Sequence, residues 1–199
     1  MKFTDVINLR NETLAGVFLM MTRRCPLMCA HCSTRSSPKS NADPSNRDLL
    51  QFVKSIVESE CSPEIVFLTG GEPLLRPDLV SEIVDILHGG NIRVAILTSL
   101  FFAPHIPAKI HKALSKIDVV GVSYDVFHQK FLSFSDFQKA LNELSRCNDV
   151  YLQFTHDKSV KSEKLLKQVR GLGVPVYVDN VGSTGRAADN NLVSKPVIF

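Results

Sequence analysis

The sequence lacks any apolar run long enough to cross a membrane as a helix, which argues against an integral membrane protein. Its net charge of +3 is too small and too dispersed to predict a nucleic-acid partner. Residues 1–5 lack the basic start and apolar core of a secretory signal. The five cysteines are an odd number, which suits a reducing compartment better than a disulfide scaffold. These absences predict a cytoplasmic protein, and a content of 44% hydrophobic and 22% charged residues is typical of a globular domain.

Three of the cysteines fall in one short segment, at Cys25, Cys29 and Cys32, and no fourth cysteine lies nearby. Disulfides pair cysteines two by two, and closed zinc sites use four ligands. His31 could complete a zinc site, but it directly precedes Cys32, and adjacent side chains rarely point at one metal. A [4Fe-4S] cluster normally takes four thiolates, so three would leave one iron open to another ligand. The spacing therefore favours a three-cysteine iron–sulfur site, with zinc or buried structural thiols as alternatives.

A second signal is the segment Gly70-Gly71-Glu72-Pro73, which follows the apolar run at 65–68. Glycines let the backbone turn and approach a ligand closely. Because α/β folds bind ligands at the carboxyl ends of strands, Glu72 would present a carboxylate able to hold an ammonium group there. Alone, this segment is an ordinary turn. One βα unit after the three cysteines, it predicts part of the same site.

The three-cysteine spacing followed by Gly70-Gly71-Glu72-Pro73 resembles the radical S-adenosylmethionine (radical SAM) enzymes, and the resemblance extends to about residue 187. It implies that the three cysteines bind a [4Fe-4S] cluster whose open iron chelates S-adenosyl-L-methionine. It also implies that the turn at 70–73 contacts the amino group of this cofactor and that His31 lies near its adenine. Reductive cleavage would give a 5′-deoxyadenosyl radical that abstracts hydrogen from a small-molecule or peptide substrate, with flavodoxin or ferredoxin as electron donor.

Strand and helix patterns alternate along the chain, which predicts parallel strands joined by right-handed crossovers. Strand-like apolar runs occur at 16–22, 64–69, 92–98, 118–123, 150–155 and 174–178. Helical periodicity separates them at 49–57, 79–87, 106–117, 137–144 and 165–172. Residues 135–138 indicate a capping box, and Gly89-Gly90 and Gly171 indicate helix ends. The predicted fold class is α/β, a partial (β/α)6 TIM-like barrel with parallel strands, forming one core domain at about 14–187.

Further candidate residues lie near the ends of later strands. Ser123 and Asp125 share a face by the period of two, and we expect them to bind the cofactor ribose or the substrate. Arg186 is expected either to meet the cofactor carboxylate or a substrate anion, or to form a surface salt bridge. His128 could face the same cavity, although a lone loop histidine is more often solvated. Other polar residues at strand ends are predicted to line the site without assigned roles, namely Gln153, Thr155, His156 and Asp179.

The remaining features bear on partners and on rival functions. Residues 188–199 form a short tail that ends in Pro196-Val197-Ile198-Phe199, and such apolar residues predict a protein partner there. Cys61 and Cys147 have no cysteine neighbours and predict no second cluster. Outside the enzyme class, the sequence leaves open a catalytically silent iron–sulfur or electron-transfer module and a zinc-binding interaction protein. Within that class, it also leaves open a glycyl-radical-enzyme activase.

Overall fold

The computed structural model describes residues 16–41 and 43–192, so the apolar end of the tail lies outside the described residues. Six parallel strands pair in chain order, and among the described residues the two outer strands, first and last, do not pair with each other. They are β1 (Gly16–Met20), β2 (Ile65–Thr69), β3 (Arg93–Thr98), β4 (Val119–Ser123), β5 (Val150–His156) and β6 (Val176–Asn180). The predicted open barrel is confirmed, although β6 begins two residues later than the apolar pattern indicates.

One helix follows each strand, which completes six βα units. The helices are α1 (Asn46–Val57), α2 (Pro77–Gly89), α3 (Ala108–Leu114), α4 (Phe134–Leu144), α5 (Val160–Arg170) and α6 (Gly185–Asp189). The apolar stripes of α1 to α5 are buried against the outer face of the sheet, as Leu49, Val53 and Ile56 of α1 illustrate. Within 16–41 and 43–192, no helix has both the length and the apolar character that a membrane crossing requires.

The helix ends follow the sequence signals with one correction. Gly90 and Gly171 cap α2 and α5, close to where the glycines predicted helix ends. The capping box expected at 135–138 is wrong, because Ser133 caps α4 instead. Its hydroxyl accepts from the Asp136 amide at 3.1 Å and donates to the Asp136 carboxylate at 2.8 Å. An N-cap needs extended backbone, which Ser133 has, whereas Ser135 already lies inside the helix.

The inner face of the sheet has an apolar and a polar half. Alternate residues of a strand point to one face, so β2, β4 and β5 each contribute to both halves. The apolar half lies toward the amino ends of the strands and is a buried cluster of Ile65, Phe67, Ala95, Val119 and Tyr151. The polar half lies toward the carboxyl ends, where the same faces carry Thr69, Ser123, Gln153, Thr155 and Asp179. The inner face of the sheet is therefore apolar and packed toward the amino ends of the strands and polar toward their carboxyl ends.

Candidate active site

A cavity of about 420 Å³ opens at the carboxyl ends of the strands. Strands β2 to β6 each contribute lining residues, and the loop that follows β1 forms another wall. Four residues that the sequence predicted at strand ends line it, namely Ser123, Gln153, Thr155 and Asp179. Two residues that the sequence analysis missed, Thr98 and Ser99, line it beside the Gly70-Gly71 turn. Strand-end position was the available signal for them, because their polar side chains directly follow the apolar run of β3.

Cys25, Cys29 and Cys32 all line this cavity as free thiols, and we call residues 25–32 the cysteine loop. Burial raises the pKa of the Cys25 thiol to about 12. Burial acts the same way on Cys32, but hydrogen bonds from Thr34 and Ser36 and the charge of Arg186 outweigh it and lower the pKa of this thiol. Metal ligation requires thiolates, so iron would have to displace a tightly held proton from Cys25 but a looser one from Cys32.

The spacing of the three sulfurs bears on the choice between a cluster and a single zinc ion. Four thiolates around zinc, at Zn–S distances of about 2.3 Å, bring the sulfurs to roughly 3.8 Å from one another. Among the described His, Cys, Asp and Glu side chains, only His31, Asp125 and His128 bring three ligand atoms within 4.8 Å of one another. The three cysteine sulfurs are thus not gathered within 4.8 Å of one another, as a preassembled zinc site would hold them. Three free thiols on one cavity wall are compatible with a multi-iron cluster.

The Gly70-Gly71 turn is attached to the chain that leads into the cysteine loop. The Gly71 amide donates to the Thr22 carbonyl at 2.6 Å, and the Glu72 amide donates to the Arg24 carbonyl at 2.9 Å. A side chain at Gly71 would meet the Arg24 carbonyl oxygen at 2.1 Å. Only glycine permits this approach, which places the backbone of the turn on the cavity wall beside Cys25.

The Glu72 carboxylate does not face the cavity as the sequence interpretation had it. Glu72 is fully buried, and its carboxylate accepts four hydrogen bonds, from the Leu74 amide, the Thr98 hydroxyl, and the amide and hydroxyl of Ser99. Burial raises the pKa of this carboxyl, against the opposing effect of the four donors. The carboxylate therefore braces the ends of β2 and β3 without lining the cavity. The residues of the turn that do line the cavity are Gly70 and Gly71.

Asp125 also differs from its predicted position, because β4 ends at Ser123 and the chain turns inward after it. Its carboxylate is buried and accepts from the His128 ring at 2.8 Å and from the Phe127 amide at 2.9 Å. Burial alone would raise the pKa of Asp125, but the charges of His128 and His31 and these hydrogen bonds lower it. Ser123 thus lines the cavity without Asp125, and ribose binding by the two together is not what their positions favour.

His128 is buried and lines the cavity, contrary to the expectation of a solvated loop histidine. Burial alone would lower its pKa, but the charge and hydrogen bond of Asp125, together with a hydrogen bond to Cys29, raise the pKa well above its ordinary value. The loop expectation failed because the sequence did not reveal the buried carboxylate. The Asp125–His128 pair therefore positions Cys29 through the hydrogen bond between His128 and this thiol.

His31 lies on the cavity wall, close to Phe127 and Asp125. Its ring packs on Phe127 at a centroid distance of 4.4 Å, and its Nε2 lies 3.5 Å from the Asp125 carboxylate. Burial lowers the pKa of His31. Its Nδ1 is buried and has no hydrogen-bond partner in the described part of the chain. Among the described residues, the close group of ligand atoms that includes His31 is completed by Asp125 and His128 and not by the cysteines. This arrangement disfavours a zinc site of three cysteines and His31.

Helix α6 holds the cysteine loop from the far side of the open barrel, and we call this set of contacts the α6 clasp. The Arg186 guanidinium donates to the Cys29 carbonyl at 3.0 Å and to the Ser36 carbonyl at 2.6 Å, and its amide donates to the Cys32 carbonyl at 2.9 Å. Arg35 pairs with Asp189 through two hydrogen bonds of 2.8 and 2.9 Å. In the structure Arg186 positions the loop and forms no ion pair with a described surface carboxylate, and it also lines the cavity, so its contact with the cofactor carboxylate or a substrate anion stays a prediction.

The α6 clasp leads to a testable expectation. Replacing Arg186 with alanine should lower the free energy of unfolding of the metal-free protein by about 2–4 kcal/mol, because two hydrogen bonds from a charged donor are lost. Iron bound per chain after reconstitution should fall with it, since the loop loses its tether. Urea unfolding and iron analysis measure both. Arg170→Ala, at the exposed end of α5, is the matched control. Equal iron content in the two variants would contradict a positioning role.

The other residues singled out by the sequence lie outside the cavity. His156 pairs with Glu163 at 3.3 Å and accepts from the Lys158 amide at 2.9 Å, so it organises the start of α5 and does not line the site. Cys61 and Cys147 are exposed free thiols that follow α1 and α4.

Comparisons with known proteins agree with this geometry. The family model of the Radical SAM superfamily matches residues 19–181. The chain is 32% identical over 119 residues to an uncharacterized protein of Methanocaldococcus jannaschii, which covers 57% of this chain and 40% of that protein. It is 22% identical over 147 residues to L-lysine 2,3-aminomutase of Methanococcus maripaludis, which covers 71% of this chain and 34% of the aminomutase. The chain thus spans at most about two fifths of these curated relatives.

Among solved structures, the chain is similar to anSMEcpe with bound AdoMet. The TM-score is 0.63 at 18% identity, and the match covers 85% of this chain and 52% of that chain. At this identity the likeness establishes the fold, and it supports the open parallel barrel described above.

Proposed function

Because this chain belongs to the radical SAM superfamily, we propose that it is an enzyme that holds a [4Fe-4S] cluster on Cys25, Cys29 and Cys32 and binds S-adenosyl-L-methionine beside it. When reduced, such a cluster supplies the electron that cleaves S-adenosylmethionine to methionine and a 5′-deoxyadenosyl radical, which abstracts hydrogen from an organic or peptide substrate. The observation that carries the proposal is the set of three free thiols on one wall of the cavity, beside the Gly70-Gly71 turn.

Different parts of the cavity wall suit different parts of the cofactor and the substrate. The Gly70-Gly71 backbone, which no side chain shields, is the part of the wall suited to the methionine end of the cofactor. His31 lines the cavity and is the residue that the family resemblance places near the adenine. Ser123, Gln153 and Asp179 line the wall formed by β4 to β6, where they can orient ribose and substrate hydroxyls. Thr98 and Ser99 are held by Glu72, so this part of the wall is preorganised.

The test is anaerobic formation of 5′-deoxyadenosine. The protein is reconstituted with iron and sulfide, reduced with dithionite in the presence of S-adenosylmethionine, and the product is quantified by chromatography. We expect product from the wild type and none above background from Cys29→Ala, because the variant lacks one of three cluster ligands. Cys61→Ala, which removes an exposed thiol outside the cysteine loop, should match the wild type.

Two results would contradict the proposal in different ways. A wild-type chain that holds iron and sulfide but forms no 5′-deoxyadenosine would favour the catalytically silent iron–sulfur module. A chain that holds zinc and no cluster after the same treatment would favour the zinc-binding interaction protein. Metal and sulfide analysis of the reconstituted sample separates the two.

A further inference from the structure

A second cavity reaches the cysteine loop from outside the barrel. Its volume is about 480 Å³, and its lining includes Thr22, Arg24, Pro38, Leu75 and Arg76. Among residues 16–41 and 43–192, Cys25 alone lines both this outer cavity and the inner one. A cluster on the cysteine loop would therefore be approachable through Cys25 from a side that the cofactor and substrate do not occupy.

The rim of the outer cavity is positively charged. Arg24 and Lys39, which follows the lining residue Pro38, are exposed, and their side chains make no hydrogen bond or ion pair with the described residues. Arg76 adds a third cation, fixed by hydrogen bonds to the Met21 and Pro44 carbonyls. Among the described lining residues, Asp43 is the one carboxylate, and it accepts from the Thr22 hydroxyl and the Arg23 amide at 2.7 Å each. Three cations, Arg24, Lys39 and Arg76, therefore stand against this one negative charge, which leaves the rim with a net positive charge.

The same rim exposes apolar surface. Leu75 is 40% exposed and borders the cavity together with Pro26 and Pro38. Apolar patches ringed by charges of one sign are typical of protein interfaces, in which the charges steer the approach of the partner. A small anion would use the arginines but not this apolar surface, so the combination favours a protein.

We propose that the outer cavity and its cationic rim are the docking site of an acidic electron-carrier protein, which delivers its electron through the Cys25 side of the cluster. In this step the reduced carrier loses one electron and the protein-bound oxidised cluster gains it, and no proton or group is transferred. The inference rests on the proposed function, which requires an electron from outside the chain. It adds where the electron enters and which class of partner brings it.

The experiment measures cluster reduction rather than product. Reconstituted protein, without S-adenosylmethionine, is mixed anaerobically with flavodoxin hydroquinone as the acidic probe, and oxidation of the flavin is followed by stopped-flow absorbance. The variants are Lys39→Glu and Arg24→Glu/Lys39→Glu. The control, Lys161→Glu/Lys164→Glu, makes the same charge change on the exposed face of α5. Photoreduced 5-deazariboflavin, a small uncharged reductant, tests whether each cluster is still reducible.

We expect the second-order rate with flavodoxin to fall about tenfold or more in the double variant, less in Lys39→Glu, and little in the control, because steering by the rim is lost. Raising the ionic strength should slow the wild type toward the variant. Reduction by deazariboflavin should be equal in all four proteins. If the double variant misfolds, Lys39→Glu on its exposed loop decides the outcome.

Equal flavodoxin rates in the charge-reversal variants and the α5 control would overturn the docking site while leaving the proposed function intact. An equal loss of the rate of cluster reduction by deazariboflavin would also overturn the docking site, because the defect would then lie in the cluster. A wild-type chain that holds no cluster would overturn the proposed function itself, and the docking site with it.

Discussion

Gly71→Ala is expected to lower the free energy of unfolding of the metal-free protein by about 2–4 kcal/mol and to abolish most iron binding. The added methyl carbon would lie 2.1 Å from the Arg24 carbonyl oxygen and 2.6 Å from its carbonyl carbon. These are backbone atoms, so no rotamer change relieves the overlap. The turn would have to separate from residues 22–24, which breaks the hydrogen bonds that align the entry to the cysteine loop.

The control for Gly71→Ala is Gly89→Ala. Gly89 is the last residue of α2, and a methyl group there would contact nothing within 4 Å. Alanine has the higher helix propensity, so this variant should be as stable as the wild type or more stable by up to about 1 kcal/mol. Urea unfolding and iron analysis of both variants make the comparison. If Gly71→Ala behaved like Gly89→Ala, the close approach of the turn would not be needed for the site.

Glu72→Ala is expected to cost roughly 3–5 kcal/mol of unfolding free energy, because it leaves four buried donors without their acceptor. Glu72→Gln should cost less, roughly 1–3 kcal/mol. Its amide oxygen still accepts, and the Thr98 or Ser99 hydroxyl can rotate to accept from its amide nitrogen, but that nitrogen then faces one backbone amide, of Leu74 or Ser99, which loses its acceptor. Glu82→Ala, on the exposed face of α2, is the control and should change stability little. Urea denaturation of the metal-free variants gives all three values.

The Glu72 variants also separate a bracing role from direct ligand binding. If the carboxylate braces β2 and β3, loss of S-adenosylmethionine binding in equilibrium dialysis should follow the loss of stability. Alanine would then be worse than glutamine in both measurements. If the carboxylate instead holds the cofactor ammonium, as the sequence suggested, Glu72→Gln would keep its stability and lose binding. That pattern would refute the bracing role assigned here.

Much of the fold could be predicted because its causes are local. Short apolar runs alternate with helical stripes, and parallel strands with right-handed crossovers then leave few arrangements. Helix ends at Gly90 and Gly171 follow from residue type alone. The cap of α4 was misplaced by two residues because Ser133 and Ser135 are both good N-caps. Which of them lies outside the helix depends on where packing starts the first turn.

In the candidate site, too, the features with local causes could be predicted and those that depend on tertiary packing could not. Sequence by itself determined that three thiols lie in one short segment and that a glycine turn follows the next strand, since both are matters of spacing along the chain. It also brought Ser123, Gln153 and Asp179 to one cavity, because strand period and parallel order are repetitive. These features need no knowledge of distant contacts.

Only the tertiary structure decided what the charged side chains do. Glu72 turns toward Thr98 and Ser99, Asp125 toward His128, and Arg186 toward the carbonyls of the cysteine loop. Arg186 reaches a carbonyl 157 residues earlier in the chain, so no local pattern could report it. The physical reason is the cost of burying charge. A carboxylate or guanidinium that the fold buries must be paired with whatever groups packing brings near it. For Glu72, Asp125 and Arg186 these groups are side chains and backbone atoms of the protein, and not the ligand groups expected from the sequence.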